Sequence, residues 1–191
     1  MADSNIVIVL LALSCSEGRR IQSFAGPYIV VPKKLYDCES YDSEKLAWTY
    51  KARATHYKPT QPLDPIRFTG NITGRALIND SSQVSFKLDI RSNNQWKHNA
   101  LVLNFVKGTG CTTLFKAAPF VADFMGYLYS PIPCAMKPGF FAFRDMPVQI
   151  QFRNVPAFPY GEYRTHFEVK DYGGAYPLFC SSGEAMVIPK P

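Results

Sequence analysis

The chain has 191 residues, of which 47% are hydrophobic, 19% charged and 14% aromatic, with 21 basic against 15 acidic side chains. That apolar content excludes a disordered chain, and the length is enough for one domain with a sizeable core. The Lys and Arg residues are dispersed, which argues against a nucleic-acid partner and leaves a solvated face or an anionic membrane surface.

Residues 1–18 read as a signal peptide. Ile6 to Leu13 is an unbroken apolar run too short to span a bilayer, and the small residues Ser14, Cys15, Ser16 and Gly18 follow it. Met1 to Asn5 lacks the usual basic residue, so a buried N-terminal strand is the competing reading. Cleavage after residue 18 would remove Asp3, Glu17 and Cys15. The net charge would rise from +6 to +8, and Cys38, Cys111, Cys134 and Cys180 would remain. An even cysteine count in an exported chain implies two disulfides, with three connectivities open. There is no C-x-x-C pair and no His near a Cys in sequence, so a metal site is not expected.

From there the chain reads as a series of strands. Pro27-Tyr28-Ile29-Val30-Val31-Pro32 is a short β run between prolines. Trp48, Tyr50, Ala52 and Ala54 alternate with Lys51, Arg53 and Thr55. Phe68 to Ile78 predicts a strand with a bulge at Gly70 or Gly74, then a turn over Asn79-Asp80-Ser81-Ser82. Val84, Phe86, Leu88 and Ile90 alternate with Ser85, Lys87 and Asp89, the pattern of a sheet with one wet face. Ala100 to Val106 is apolar without alternation and predicts a strand covered on both faces.

Between Cys111 and Cys134, Leu114, Ala118, Val121, Met125 and Leu128 recur at helical spacing. Pro119 suits a first turn, so the expectation is a turn from Thr112 and a helix over Pro119 to Tyr127. Val148, Ile150 and Phe152 predict another strand. Tyr163, Thr165, Phe167 and Val169, alternating with Arg164, His166, Glu168 and Lys170, predict one whose polar face, His166 included, meets solvent. Phe179 to Ile188 supplies the last. The fold class is mainly β, an antiparallel sandwich or cup of roughly seven or eight strands with one short helix, in a single domain over 19–191.

Enzyme signatures are missing from the sequence. His56, His98 and His166 have no metal-ligand spacing, and there is no G-x-S-x-G, P-loop or dinucleotide fingerprint. No cofactor is expected. Asn71-Ile72-Thr73 and Asn79-Asp80-Ser81 are N-glycosylation sequons, and Asn71 inside its strand should face out. Three apolar stretches read as aromatic-rich loops: Tyr127 to Pro133, Phe140-Phe141-Ala142-Phe143, and Val155 to Tyr160. Loops are usually polar, so these either plug the core or line a cavity mouth.

The order of features resembles the ganglioside activator family of lipid-transfer proteins, with its insect chemosensory relatives and MD-2-related lipid recognition. The resemblance rests on Tyr36-Asp37-Cys38, Gly70-Asn71-Ile72-Thr73, Trp96 before an apolar strand, and a helical excursion between Cys111 and Cys134. It continues with Asn154-Val155-Pro156 leading to Gly161-Glu162-Tyr163-Arg164, and ends with Phe179-Cys180. It implies a β-cup with an internal lipid cavity, and disulfides Cys38–Cys180 and Cys111–Cys134. This chain departs from the lysosomal members in having fewer cysteines.

The resulting expectation is a secreted or lysosomal, non-enzymatic protein that holds a lipid or other apolar small molecule. Phe86, Leu88, Leu103, Phe105, Ile150, Phe152 and Phe167 would line the cup. Leu114, Val121, Phe124, Met125, Leu128 and Phe141 would line or cover its mouth. An anionic membrane, a glycosidase or a receptor are the partners that resemblance and charge suggest. Two other readings stay open: an exported β-sandwich with a filled core that binds protein, and an exported hydrolase whose site would unite a His with a carboxylate or a Ser.

Overall fold

The computed structural model describes residues 24–105, 108–125, 129–131, 133–171 and 173–191. The expected signal segment, with Cys15, lies outside them, as do Tyr127 and Leu128. In chain order the elements are β1 (Ala25–Gly26), β2 (Tyr28–Tyr36), a 3-10 turn (Ser43–Lys45), β3 (Trp48–Ala54), β4 (Ile66–Gly74), β5 (Ile78–Asn79), β6 (Gln83–Ser92) and β7 (Gln95–Phe105). They continue with α1 (Gly110–Ala117), α2 (Phe120–Met125), β8 (Tyr129–Pro131), β9 (Cys134–Met136), β10 (Gly139–Val148), β11 (Phe158–Pro159), β12 (Gly161–Lys170) and β13 (Pro177–Pro189).

Two antiparallel sheets make the body. One has strand order β10-β4-β3, the other β2-β13-β12-β6-β7; β5-β9-β8 and β1-β11 form small accessory ladders. Alternation sets which side chains face the space between the sheets. In β12, Tyr163 and Val169 are buried there, opposite Ile90 and Val84 of β6. Tyr50 ties the sheets together: its hydroxyl donates to the Tyr36 carbonyl at 2.9 Å and accepts from Ser181 Oγ at 2.9 Å. The turn joining β6 to β7 is Asn93-Asn94, with both residues at positive φ (52° and 60°). That is the type I′ geometry that Asn tolerates and a two-residue hairpin requires.

Several expectations give way to the tertiary structure. The glycines of β4 carry no bulge: Gly70 and Gly74 stay in register with Ala52 and Trp48. A Cβ at Gly70 would lie 2.0 Å from the Lys51 carbonyl oxygen, and one at Gly74 would lie inside the Trp48 ring, so both glycines serve close approach. The bulge falls on the neighbouring strand, between Phe143 and Met146, where Asp145 takes φ 52°.

Phe140 to Phe143 is not a loop but the start of β10, with Phe143 buried and Phe140 exposed. The strand expected over Val148 to Phe152 ends at Val148, because its partner β4 begins at Ile66 and leaves nothing for Ile150 to pair with. The turn expected from Thr112 is a helix, α1, and the helix expected from Pro119 is present as α2. Ala118, preceding Pro119, is pushed out of helical geometry (φ −130°, ψ 72°), which separates α1 from α2. Asp80 caps the start of α1, accepting from the Thr112 N–H at 2.7 Å and from Thr112 Oγ1 at 2.8 Å. Finally, the strand expected to be covered on both faces is β7, an edge strand with Leu101, Val102 and Leu103 each about 40% exposed.

Cys38 is bonded to Cys180 and Cys111 to Cys134, each pair with Cα atoms 5.8 Å apart. The first closes 142 residues and the second 23. On a chain-entropy account these loops contribute roughly 5 and 3.4 kcal/mol by restricting the unfolded chain.

Candidate functional site

A cavity of roughly 350 Å³ lies between the two sheets. The smaller sheet contributes Trp48, Tyr50 and Ala52 from β3, Phe68 and Ile72 from β4, and Phe143 from β10. The larger sheet contributes Val30, Phe86, Leu88, Tyr163, Phe167 and Val187. Leu103 borders it from the edge strand. Leu114, Phe120 and Val121 approach from the helical segment, and Ile150 and Phe152 from the coil after β10. Aromatic contacts hold part of this wall. Phe152 packs on Phe86 and Phe120, with centroids 6.1 and 5.8 Å apart, and Phe158 packs on Tyr28 and Tyr163.

Of the residues expected from sequence, Phe86, Leu88, Leu103, Leu114, Val121, Ile150, Phe152 and Phe167 border the cavity. Phe141 does not. It stacks beside Phe143 at 5.9 Å and packs into the core behind the wall. The side chains of Phe105, Phe124 and Met125 lie outside the described part of the structure, and so does Leu128 altogether. Trp48, Tyr50, Phe68 and Ile72 are lining residues that sequence reading missed. The alternation of β3 was visible, but nothing in it said which face turned inward.

The lining is close to purely apolar in what it offers. Tyr163 donates to the Pro159 carbonyl at 2.8 Å and Thr165 to the Gly183 carbonyl at 3.4 Å. Ser181 and Tyr50 are spent on each other and on Tyr36, and the Tyr28 hydroxyl receives the Phe152 N–H at 3.4 Å. Burial pushes the phenols of Tyr28, Tyr50 and Tyr163 above their ordinary pKa, so they stay neutral.

The outer face of the larger sheet is the opposite case. His166 is not out in solvent as expected but half-buried over the Cys38–Cys180 disulfide, with Nδ1 3.6 Å from Cys38 Sγ. Ser182 Oγ lies 3.2 Å from its Nδ1, and Glu168 Oε2 lies 3.5 Å from its Nε2. Glu168 is buried and paired with Lys170, and Tyr41 donates to it at 3.4 Å.

A Ser–His–carboxylate succession invites comparison with a hydrolytic triad. Ser182, however, is itself buried in the middle of β13 between β12 and β2. A strand interior commits its backbone to the ladder and presents no turn of N–H groups to hold an oxyanion. The Glu168 charge is already engaged by Lys170, so burial of His166 prevails. Desolvation first, then Lys87 and Lys170, hold its pKa below the ordinary value, with Asp89 opposing.

Sulfurs of both disulfides also cluster with His166 and with Asp80. Metal binding by cysteine uses thiolate, which a disulfide does not supply. Asn71 is part-buried in β4, in register with Lys51 and Ala142 and on the face opposite Phe68 and Ile72. Asn79 Oδ1 accepts from both N–H and Oγ of Ser81, forming an Asx turn.

No protein-family model and no curated protein matches the chain. Among solved structures it is similar to "Crystal structure of chicken MD-1 complexed with lipid IVa". The identity is 8%, the match covers 85% of this chain and 96% of that one, and the TM-score is 0.36. No helix among the described residues is long and apolar enough to cross a membrane. The chain is thus a mainly β, antiparallel, disulfide-linked protein with an apolar cavity between its sheets.

Proposed function

We propose that this is an exported protein that holds an apolar, lipid-like ligand between its two sheets, to carry or present it. The observation that supports this reading is the cavity itself. A space of roughly 350 Å³ walled by aromatic and aliphatic side chains forfeits packing that a filled sandwich would gain. Each CH₂ of a ligand moved from water into such a space gains about 0.8 kcal/mol, so the same walls that weaken the fold bind an alkyl chain. The cavity likewise favours a ligand carrier over a protein-binding sandwich with a solid core. The signal-like N-terminus and the two disulfides suit an oxidising, extracellular or lysosomal compartment. The basic surplus suits approach to anionic membranes.

Native mass spectrometry of the protein purified from a secreting host tests this. A co-purified apolar mass, or uptake of a fluorescent fatty acid with a saturable isotherm, is the expected result. A bare protein that takes up no such probe would sink it. The Ser182–His166–Glu168 succession gives the hydrolase reading one specific test: covalent labelling of Ser182 by a fluorophosphonate would favour it.

A further inference from the structure

Among the described residues, five that carry hydroxyls border the cavity, and four of their protons are already placed. Tyr50 donates to the Tyr36 carbonyl, Tyr163 to the Pro159 carbonyl, Thr165 to the Gly183 carbonyl, and Ser181 to Tyr50. The Trp48 indole N–H is likewise spent, on the Ala76 carbonyl at 2.7 Å. Tyr28 is the exception. Its ring stands against Phe158, with centroids 5.5 Å apart, and its hydroxyl accepts the Phe152 N–H at 3.4 Å. A phenol that accepts still has a proton to give. Among the described residues nothing receives it, and burial keeps the phenol protonated.

The charged lining residues stand elsewhere. Lys34 and Glu184 face each other in register where β2 meets β13, and both also border the polar cleft on the outer side. Lys34 is exposed. Tyr28 lies six residues before it on the same strand, roughly 20 Å away at about 3.3 Å per residue. A polar group held at Tyr28 is therefore out of reach of Lys34. A carboxylate there would shed its water against apolar walls, which one neutral hydroxyl does not offset. An uncharged oxygen costs far less to bury and accepts the same bond.

Resting on the carrier reading above, we infer that Tyr28 is a polar grip inside the cavity, donating its hydroxyl proton to an uncharged oxygen of the ligand. The ligand is then a neutral oxygenated chain (an alcohol, aldehyde, ketone or ester) and neither a plain hydrocarbon nor a carboxylate. A neutral hydrogen bond of this kind contributes about three- to tenfold in affinity. It sets selectivity, while the apolar walls supply the larger part of the binding.

The test is displacement of N-phenyl-1-naphthylamine, an uncharged fluorescent probe, by the 1-alkene, primary alcohol, methyl ketone and carboxylic acid of one chain length. It is run on the wild type, Tyr28→Phe and Lys34→Met. Tyr28→Phe is expected to weaken the alcohol and the ketone about three- to tenfold and to leave the alkene within about twofold. Lys34→Met should change none of these three. Equal changes for ketone and alkene in Tyr28→Phe, or no change for either, overturn the inference while leaving the carrier reading intact. So does a carboxylate that binds more tightly than the neutral chains and loses that advantage in Lys34→Met. A protein that takes up neither the probe nor any chain overturns the carrier reading itself. Should Tyr28→Phe fold poorly, the infrared carbonyl band of the ketone bound to the wild type decides. It is expected below its position in alkane solvent, and a band at the alkane position overturns the inference.

Discussion

The two faces of strand β12 meet opposite solutions of the same packing problem. Inward, Tyr163, Thr165, Phe167 and Val169 border space that no protein atom fills. Outward, His166, Glu168 and Lys170 are drawn into a cluster with Tyr41, Ser182 and the Cys38–Cys180 bond, and Glu168 is nearly as buried as the core. Alternation would put a dense core on the first side and water on the second. The difference teaches that alternation alone does not say which face packs closely: the apolar face leaves space, and the polar face takes over part of the holding. A disulfide closing 142 residues crosses the outside, where a wet surface would otherwise be.

Removing that staple should break the comparison most completely. The paired substitution Cys38→Ala with Cys180→Ala is expected to lower unfolding free energy by about 3–5 kcal/mol, measured by urea denaturation. The corresponding change at Cys111 and Cys134 should cost less, since its loop is shorter. Glu168→Ala comes next. It leaves the Lys170 ammonium and the Tyr41 hydroxyl without their buried acceptor, at a cost of about 2–3 kcal/mol by the same assay.

The inner face can be sharpened by pairing Val84→Ala with Phe86→Ala. Val84 is fully buried in close packing, so its truncation should cost about 2 kcal/mol. Phe86 loses three times as many carbons but is only part-buried and borders the cavity, so Phe86→Ala should cost less per carbon removed than Val84→Ala. An equal or larger loss per carbon at Phe86 would show that its ring is packed as closely as Val84.

The smallest effect is that of pH. The folded protein holds the His166 pKa below its unfolded value of about 6.5, so between those two values the unfolded chain binds more protons. The contribution of neutral His166 is therefore fully present above pH about 6.5 and is lost as pH falls towards the lowered value. His166→Gln should flatten that part of a stability–pH profile, and an unchanged slope would show that other groups carry it.

Much of the β architecture was legible because period-two alternation is written residue by residue. Val84 to Ile90 and Tyr163 to Val169 became β6 and β12, paired with each other, Phe86 opposite Phe167. Phe140 to Phe143 was less legible. Ala142 interrupts the aromatic run, so the alternation that buries Phe143 and exposes Phe140 emerges only once β4 lies alongside. Ile150 and Phe152 show the converse: they keep their inward aim without a strand, because β4 gives them no ladder.

By itself, the sequence determined which residues are apolar, where strands alternate, where Pro119 forbids a continuous helix, and that four cysteines stand in the chain after the signal-like segment. The tertiary structure alone decided that Trp48, Tyr50 and Phe68 turn to the same interior as Phe86 and Phe167, that β7 is an edge, and that His166 is covered. The physical reason is that alternation specifies two faces of a strand without saying what each will meet. Burial, exposure and an empty space between sheets belong to pairs of elements far apart in sequence, and they exist only when the chain has closed on itself.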